Sequence, residues 1–148
     1  MKYKETVIHS ESDLRTEDLG YEFASKLKKG SVIALCGPLG AGKTTFVRGI
    51  AKRLTPECAD LVHSPTFTVV NEYRGKDNCI FHFDFYRLKN DDDLYSCGFD
   101  DYFDENGIII AEWADMFLDS LPESTIRVTI EKEGEDGRKL TVLFPEEQ

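Results

Sequence analysis

The segment from Gly37 to Thr44 reads GPLGAGKT and matches the pattern GxxxxGK[ST]. It follows residues 31–36, a short apolar segment between two glycines that is typical of a strand covered on both faces. Residues 44–54 come next and carry apolar side chains at helical spacing. A strand, a glycine-rich turn and a helix N-terminus in this order direct backbone amides at phosphate oxygens. The motif in this setting predicts a P-loop that binds a nucleoside triphosphate.

The residue types within this loop suit separate parts of the binding. Lys43 can reach the β- and γ-phosphates, and the hydroxyl of Thr44 can ligate magnesium. Glycines let the backbone approach the phosphates without a Cβ in the way. The predicted nucleotide-binding residues of the loop are Gly37, Leu39, Gly40, Ala41, Gly42, Lys43, Thr44 and Thr45.

The composition is that of a soluble globular protein, with 41% hydrophobic and 31% charged residues. The length of 148 residues predicts a single P-loop ATPase domain over residues 1–148. No apolar run approaches the roughly 20 residues of a membrane span, and residues 1–5 lack the apolar core of a signal peptide. The four cysteines are scattered, without a C-x-x-C pair, which favours a reducing cytoplasm over disulfides or zinc.

The net charge of −10 bears on possible partners. A chain this acidic should repel nucleic acid overall. Any link to RNA is therefore expected to run through a partner protein, and no contact with a membrane is expected.

The rest of the chain alternates between strand-like and helix-like segments. Helices are expected from Thr16 to the glycine stop at Gly30, over residues 44–54, and as an excursion over residues 91–103. Strands are expected at residues 5–10, 31–36, 66–73, 80–86, 108–111, 125–132 and 138–144. The third and fourth strands, and the last two, should form antiparallel hairpins. The predicted fold is α/β, a three-layer P-loop NTPase-like domain with a mixed sheet and a C-terminal antiparallel hairpin.

Two carboxylates could complete the site. Glu112 ends the apolar strand 108–111, and it should lie near Thr44 if that strand is parallel to the one before the loop. Asp84 belongs to the polar face of an alternating segment, with His82, and could hold the magnesium shell or orient water. A surface glutamate at a strand end is the alternative for Glu112, and a structural hydrogen bond is the expectation for His82. The predicted catalytic residues are Asp84, Glu112 and Lys43, and the predicted magnesium ligands are Thr44, Glu112 and Asp84.

Two further motifs concern nucleotide sensing and choice. Thr66 lies in residues 64–68, between the P-loop helix and the next strand, where P-loop switch proteins carry a hydroxyl that senses the γ-phosphate. By itself this segment is also an ordinary turn before a strand. Residues 104–107 match the D-x-x-G of GTPases but precede their strand, which indicates a turn. No N-K-x-D guanine motif occurs in the sequence, so ATP is the expected nucleotide.

Taken together, these motifs resemble those of a known family. The matching segments are residues 40–45, 64–68, 82–88, 98–103 and 112–113, in order and over nearly the whole chain. They are similar to the TsaE family, the bacterial ATPases of tRNA threonylcarbamoyladenosine synthesis. The H-x-D-x-Y-R-L segment with the E-W pair is more specific than the P-loop alone.

The resemblance implies a function and partners. It implies an accessory ATPase for the modification of the adenosine next to the anticodon, with ATP and Mg²⁺ as cofactors. The implied partners are the threonylcarbamoyl transferase subunit and its paralogous partner subunit, and tRNA is reached only through that complex. Hydrolysis would support turnover of the transferase without transferring the group itself.

The resemblance also implies roles for further residues. Thr66 becomes the switch candidate, Trp113 should pack beside the site, and adenine should lie near Ser12 and Thr16. Arg138 matches a G-R pair in the terminal hairpin of relatives and is, with Ser12 and Thr16, a predicted ATP-binding residue. One departure is Pro38, where relatives usually carry Asp, which brings into question any contact that aspartate makes.

Two other functions share the P-loop. A small-molecule kinase would need an acceptor pocket and commonly an arginine-bearing lid, whereas this chain has no insertion of that length and its arginines are scattered. A nucleotide-gated adaptor would position partners through binding alone.

Overall fold

The computed structural model describes residues 2–38, 40–65 and 69–146. Its strands are β1 (Tyr3–Ser10), β2 (Val32–Cys36), β3 (Val70–Arg74), β4 (Cys79–Asp84), β5 (Ile108–Glu112), β6 (Ile126–Glu133) and β7 (Gly137–Pro145). Its α-helices are α1 (Asp13–Ala24), α2 (Lys43–Leu54) and α3 (Asp91–Ser96). Short 3₁₀ helices occupy Pro56–Leu61, Phe99–Glu105 and Asp115–Ser120.

The strands of the described chain form one mixed sheet in the order β1-β7-β6-β2-β5-β4-β3. The central strand β2 is parallel to both β5 and β6, and β4 is parallel to β5. The pairs β3–β4, β6–β7 and β1–β7 are antiparallel. The predicted mixed sheet and C-terminal hairpin are therefore confirmed. Strands β2 and β5 are parallel, which was the condition for placing Glu112 near Thr44.

Apolar side chains pack on both faces of this sheet. On one face the cluster includes Phe46, Val47 and Ile50 of α2 with residues of α1. On the other, Phe81 and Phe83 of β4 pack with residues of α3 and the later 3₁₀ helices. Every residue of β2 and β5 is buried, because both of their faces are covered. The result is the expected arrangement of three layers.

Helices α1 and α2 lie unusually close together because glycines face the contact. A Cβ on Gly49 would clash with the carbonyl oxygen of Glu17, and a Cβ on Gly20 would clash with that of Phe46. Gly49 looks like a weak point of the helix in the sequence. In the tertiary structure it permits the packing that holds the P-loop helix in place.

Several predicted boundaries were wrong. Helix α1 begins at Asp13 instead of Thr16, since the side chain of Ser12 accepts a hydrogen bond from the backbone N of Arg15 and caps it. It ends at Ala24, before the basic residues 28 and 29, because the chain turns there through short-range backbone bonds such as Lys26 N to Phe23 O.

The predicted excursion over residues 91–103 is two short helices. It is interrupted at Gly98, which adopts a φ of 81°. Residues 56–61 form a 3₁₀ helix that begins with Pro56. Within the described residues, no helix is both long and apolar enough to cross a membrane.

Candidate nucleotide site

The site lies where the carboxyl ends of β2, β4 and β5 meet the loop that leads into α2. Register pairing places Leu35 of β2 beside Glu112, and Asp84 of β4 beside the same glutamate. In parallel sheets this edge is where ligands bind. The parallel pairing therefore brings both predicted carboxylates to the end of the sheet that meets the P-loop.

The backbone of the P-loop requires glycine at its bends. Gly37, Gly40 and Gly42 have φ values of 137°, 75° and 99°, which side chains rarely permit. A Cβ on Gly37 would also clash with the backbone of Ile130. Gly42 is the N-cap of α2 and makes no side-chain cap hydrogen bond, and the first residues of the helix line the cleft. The first amides of an α-helix have no partner within the helix, so they suit a bound anion. Leu39, predicted as a binding residue, lies outside the described residues.

Lys43 is almost completely buried, with 5% of its surface exposed. Its Nζ donates a hydrogen bond to Gly37 O at 2.7 Å and lies 3.7 Å from Glu112 Oε1. It also lies 4.0 Å from the centre of the Trp113 ring. Burial lowers the pKa of Lys43, while the negative charges of Glu112 and Asp84 oppose that change. The ammonium is thus held inside the site by groups that a phosphate could replace.

The two carboxylates are buried as well, Asp84 at 4% and Glu112 at 3% exposure. Glu112 Oε2 lies 2.5 Å from Nε2 of His82, a side chain with no exposed surface. Asp84 Oδ1 accepts a hydrogen bond from the backbone N of Tyr86 at 2.8 Å. The interpretation of Glu112 as a solvated surface residue is therefore wrong, because its strand is buried on both faces.

Trp113 follows Glu112 directly and bends the chain at the end of β5. Its φ of 57° is uncommon for a residue with a side chain. Besides its contact with Lys43, the indole packs edge-on against Tyr86, with ring centres 5.1 Å apart. The bend places the ring at the wall of the cleft.

Arg138 reaches the P-loop from the C-terminal hairpin. Its Nε donates to Ala41 O at 2.8 Å and its Nη2 to Gly40 O at 3.4 Å. The guanidinium thus braces the backbone of the loop, a role that the sequence did not indicate. It also lines the cleft, and its contact with nucleotide stays a prediction.

The two residues predicted to lie near adenine have different surroundings. The Thr16 hydroxyl bonds to Ser10 Oγ at 2.8 Å and to Ser12 O at 3.1 Å, so it serves the start of α1. The Thr16 methyl group lies 3.7 Å from the position that a Cβ on Gly42 would take, beside the loop. Ser12 caps α1, while the neighbouring Asp13 lines the cleft. Contact of either residue with adenine remains a prediction.

The cleft between these elements has a volume of about 270 Å³. Its lining includes Asp13 and Ser64, which sequence reasoning did not select. Two sequence signals could have identified these residues. Asp13 comes just after a helix cap, and Ser64 begins the S-P-T-F-T segment. Among the residues that the structure describes, the lining consists of Asp13, Gly40, Gly42, Lys43, Thr44, Thr45, Ser64, Glu112, Trp113 and Arg138.

The switch candidate Thr66 lies outside the described residues. On the two sides of its segment, the backbone N of Val69 donates to Pro65 O at 2.8 Å, and Val69 O accepts from Asp84 N at 2.8 Å. Val69 has a φ of 68°, which is strained for a β-branched residue. The described flanks of the segment are thus tied to the strand that carries Asp84.

The side chains present suit a magnesium ion whose coordination shell is supplied only in part by the protein. Two buried carboxylates lie side by side with one buried ammonium, which leaves excess negative charge in a region of low dielectric constant. Among the described residues no cluster of three or more His, Cys, Asp or Glu forms a complete metal cage. Magnesium commonly binds through one or two carboxylates, water and substrate phosphates. Thr44, Glu112 and Asp84 fit that pattern.

The parallel β2–β5 core and the glycine-rich turn into α2 define a protein with a P-loop NTPase-like fold. Comparison with known families narrows this class. The family described as threonylcarbamoyl adenosine biosynthesis protein TsaE matches residues 10–140. The chain belongs to the TsaE family.

Individual relatives agree with this assignment. The chain is 38% identical over 118 residues to the Bacillus subtilis "tRNA threonylcarbamoyladenosine biosynthesis protein TsaE", covering 80% of this chain and 72% of that protein. It is 44% identical over 110 residues to the Aquifex aeolicus protein of the same name, covering 74% and 76%. The crystal structure of Bacillus subtilis YdiB superimposes with a TM-score of 0.77 at 29% identity, covering 97% of this chain and 88% of that one.

Proposed function

We propose that this protein acts in the biosynthesis of threonylcarbamoyladenosine in tRNA as an accessory ATPase that binds and hydrolyses Mg-ATP. The observation that carries the proposal is the convergence of buried Lys43, Glu112 and Asp84 on the P-loop of a TsaE-family chain. Such buried charges are costly for stability alone and are typical of functional sites. Hydrolysis would support turnover of the threonylcarbamoyl transferase and its paralogous partner.

The P-loop amides and Lys43 hold the β- and γ-phosphates in this proposal. To do so, the ammonium exchanges its bond to Gly37 O for a bond to a phosphate oxygen. Lys43 is the first residue of α2, and its side chain can make this exchange while the helix stays in place. Thr44 and Glu112 would hold magnesium, and Asp84 would complete its shell or orient the attacking water. When bound, magnesium neutralises charge on the phosphates and assists departure of the leaving group.

The charge of the chain supports an indirect relation to tRNA. With a net charge of −10 it is repelled by a polyanion, so the transferase complex would supply the contact with RNA. Slow hydrolysis by the protein alone is expected if a partner supplies groups that stabilise the transition state. We place this activity in the cytoplasm, since all four cysteines are free thiols.

Pro38 is the position where the nucleotide site departs from the family pattern. It has no N–H to offer a phosphate, but its carbonyl oxygen accepts a bond from Ala41 N at 3.2 Å and supports the turn. We expect phosphate binding to survive this substitution. A contact with a partner through the usual aspartate would be missing.

The decisive experiment measures ATP turnover by the purified protein, alone and with the transferase pair. Glu112→Ala tests the site, and Glu123→Ala, which changes an exposed glutamate outside this cleft, is the matched control. We expect low basal turnover that rises with the partners, collapses in Glu112→Ala and is unchanged in Glu123→Ala.

Other outcomes identify the alternatives. ATP turnover that is unchanged by the partners but stimulated by a small-molecule acceptor would indicate a kinase. Glu112→Ala that binds ATP, fails to hydrolyse it and still supports the modification would indicate a nucleotide-gated adaptor.

A further inference from the structure

The two oxygens of Glu112 face different partners. Oε2 lies 2.5 Å from His82 Nε2, and Oε1 lies 3.7 Å from Lys43 Nζ. His82 is completely buried and Glu112 is 3% exposed, so no bulk solvent competes for the first of these contacts. The imidazole therefore determines which way the carboxylate is turned.

The sheet explains why the two side chains meet. His82 on β4 pairs in register with Ile110 on β5, and Asp84 pairs with Glu112. Side chains two residues apart on a strand share a face. His82 thus lies one residue pair further from the carboxyl ends of the strands than Glu112, while Asp84 lies beside Glu112 at those ends. The imidazole approaches the carboxylate from the core side and leaves the cleft side open.

The hydrogen in this contact is assigned to the imidazole. Among the described residues, Nδ1 of His82 is buried without a hydrogen-bond partner. With the hydrogen on Nδ1, the ring would keep a buried N–H with no acceptor, and orphaned N–H groups are rarer than unsatisfied acceptors. The favoured tautomer carries the hydrogen on Nε2 and donates it to Glu112 Oε2. Tyr73 supports the ring, with ring centres 6.3 Å apart.

We propose that His82 is a positioning residue that holds Glu112 Oε2, so that Oε1 stays directed at the cleft where magnesium and its water would lie. Without this donor, Glu112 is free to close on Lys43 and to engage the ammonium that the phosphates require. The consequence for magnesium rests on the proposed function, whereas the hydrogen bond itself does not.

A spectroscopic experiment tests the hydrogen bond in the full-length, nucleotide-free protein. Long-range ¹⁵N–¹H correlation spectra report which ring nitrogen carries the hydrogen, and the His82 signals are assigned by their loss in His82→Gln. We expect the Nε2–H form, with signals that shift in Glu112→Ala and stay in place in Glu123→Ala. The Nδ1–H form, or signals indifferent to Glu112→Ala, would overturn the proposal.

A matched pair of variants tests the consequence. The amide nitrogen of His82→Gln can occupy the place of Nε2, whereas His82→Asn is also polar but too short to reach Glu112. Calorimetric titration with ATP, in Mg²⁺ and in EDTA, measures how much magnesium improves ATP affinity. We expect that gain to fall about tenfold in His82→Asn, as for the loss of a group that orients a metal ligand, and to be largely restored in His82→Gln.

The double variant separates positioning from a general structural effect. In the Glu112→Ala background, His82→Asn should change the improvement of ATP affinity by magnesium less than about twofold. The reason is that Glu112, through which His82 acts, is already absent. Equal gains in wild type and His82→Asn, or a full further loss in the double variant, would overturn the proposal. A wild-type protein without any magnesium-dependent gain would instead contradict the proposed function, and the spectra would still decide the hydrogen bond.

Discussion

Arg138 Nε donates a 2.8 Å hydrogen bond to the carbonyl of Ala41, a residue 97 positions away in the chain. This contact joins the C-terminal hairpin to the middle of the P-loop. The carbonyl has little access to water, since Ala41 has no exposed surface. The shape of the P-loop thus depends on a strand at the far end of the sequence.

Removing this contact should weaken both stability and nucleotide binding. Arg138→Ala leaves the Ala41 carbonyl unpaired, and we expect a loss of about 1–3 kcal/mol in the free energy of unfolding. ATP affinity should fall as well, because the loop loses its brace. Urea denaturation and calorimetric titration measure the two effects. Lys139→Ala, the next residue on β7, is the control, and an equal effect there would contradict the specific role of the contact with Ala41.

Replacing Lys43 should abolish tight ATP binding while the fold is retained. Its ammonium is positioned to exchange Gly37 O for phosphate, and a hydrogen bond to a charged group contributes about 1.5–3 kcal/mol. Lys43→Met, which keeps the buried length of the side chain, should therefore reduce ATP affinity by at least tenfold. Calorimetry gives the affinity, and circular dichroism verifies the fold. Affinity equal to that of wild type would remove Lys43 from the phosphate site.

Trp113 should report on nucleotide binding. It is the only tryptophan in the chain, and its ring lies 4.0 Å from Lys43 Nζ. When the ammonium turns to a phosphate, this cation–π contact weakens and the emission of the indole should change. A fluorescence titration with Mg-ATP measures this directly. The change should be absent in Lys43→Met, even at ATP concentrations that saturate that variant.

Gly49, in the contact between α1 and α2, should be more sensitive to substitution by alanine than Gly30. Gly49→Ala places a Cβ against the carbonyl of Glu17, and the helices must separate to accept it. Overpacking of this kind costs about 1–3 kcal/mol, and backbone contacts put Gly49 at the upper end. Gly30→Ala is the comparison, since a Cβ there meets no atom within 4 Å and only its φ of 93° is unfavourable. Thermal unfolding should show the larger loss for Gly49→Ala.

Alkaline pH should destabilise the protein through Cys36. Burial, together with the nearby negative charge of Asp115, raises the pKa of this thiol from 9.0 to about 12. Between these values the unfolded chain has released a proton that the folded chain keeps, so stability falls as pH rises above 9. The contribution approaches roughly 1.4 kcal/mol per pH unit.

Unfolding free energies at pH 8, 9 and 10 test this prediction. Cys36→Ala should remove this part of the slope, and Asp115→Asn should reduce it by lowering the pKa of the thiol. A slope in Cys36→Ala as steep as in wild type would assign the alkaline loss to other groups.

Local sequence patterns predicted much of the fold and part of the candidate site. The P-loop was readable because glycines, a lysine and a threonine at fixed spacing serve one stretch of backbone. Glu112 was predicted because an acid at the end of a uniformly apolar strand is typical of the ligand-binding edge of a parallel sheet. The boundaries of α1 were less accessible, since Ser12 and Thr16 are both suitable caps and only the bonds to Ser10 and Arg15 decide between them.

Other relationships became visible only in three dimensions. The sequence by itself determined the P-loop, the strands that flank it and the acidic residue types available to it, because those depend on spacing along one chain segment. The tertiary structure alone decided three contacts: His82 with the carboxylate of Glu112, Arg138 with the carbonyl of Ala41, and Gly49 with the backbone of α1. Each of these contacts joins segments far apart in sequence, and their meeting depends on strand order and register, which no local pattern encodes.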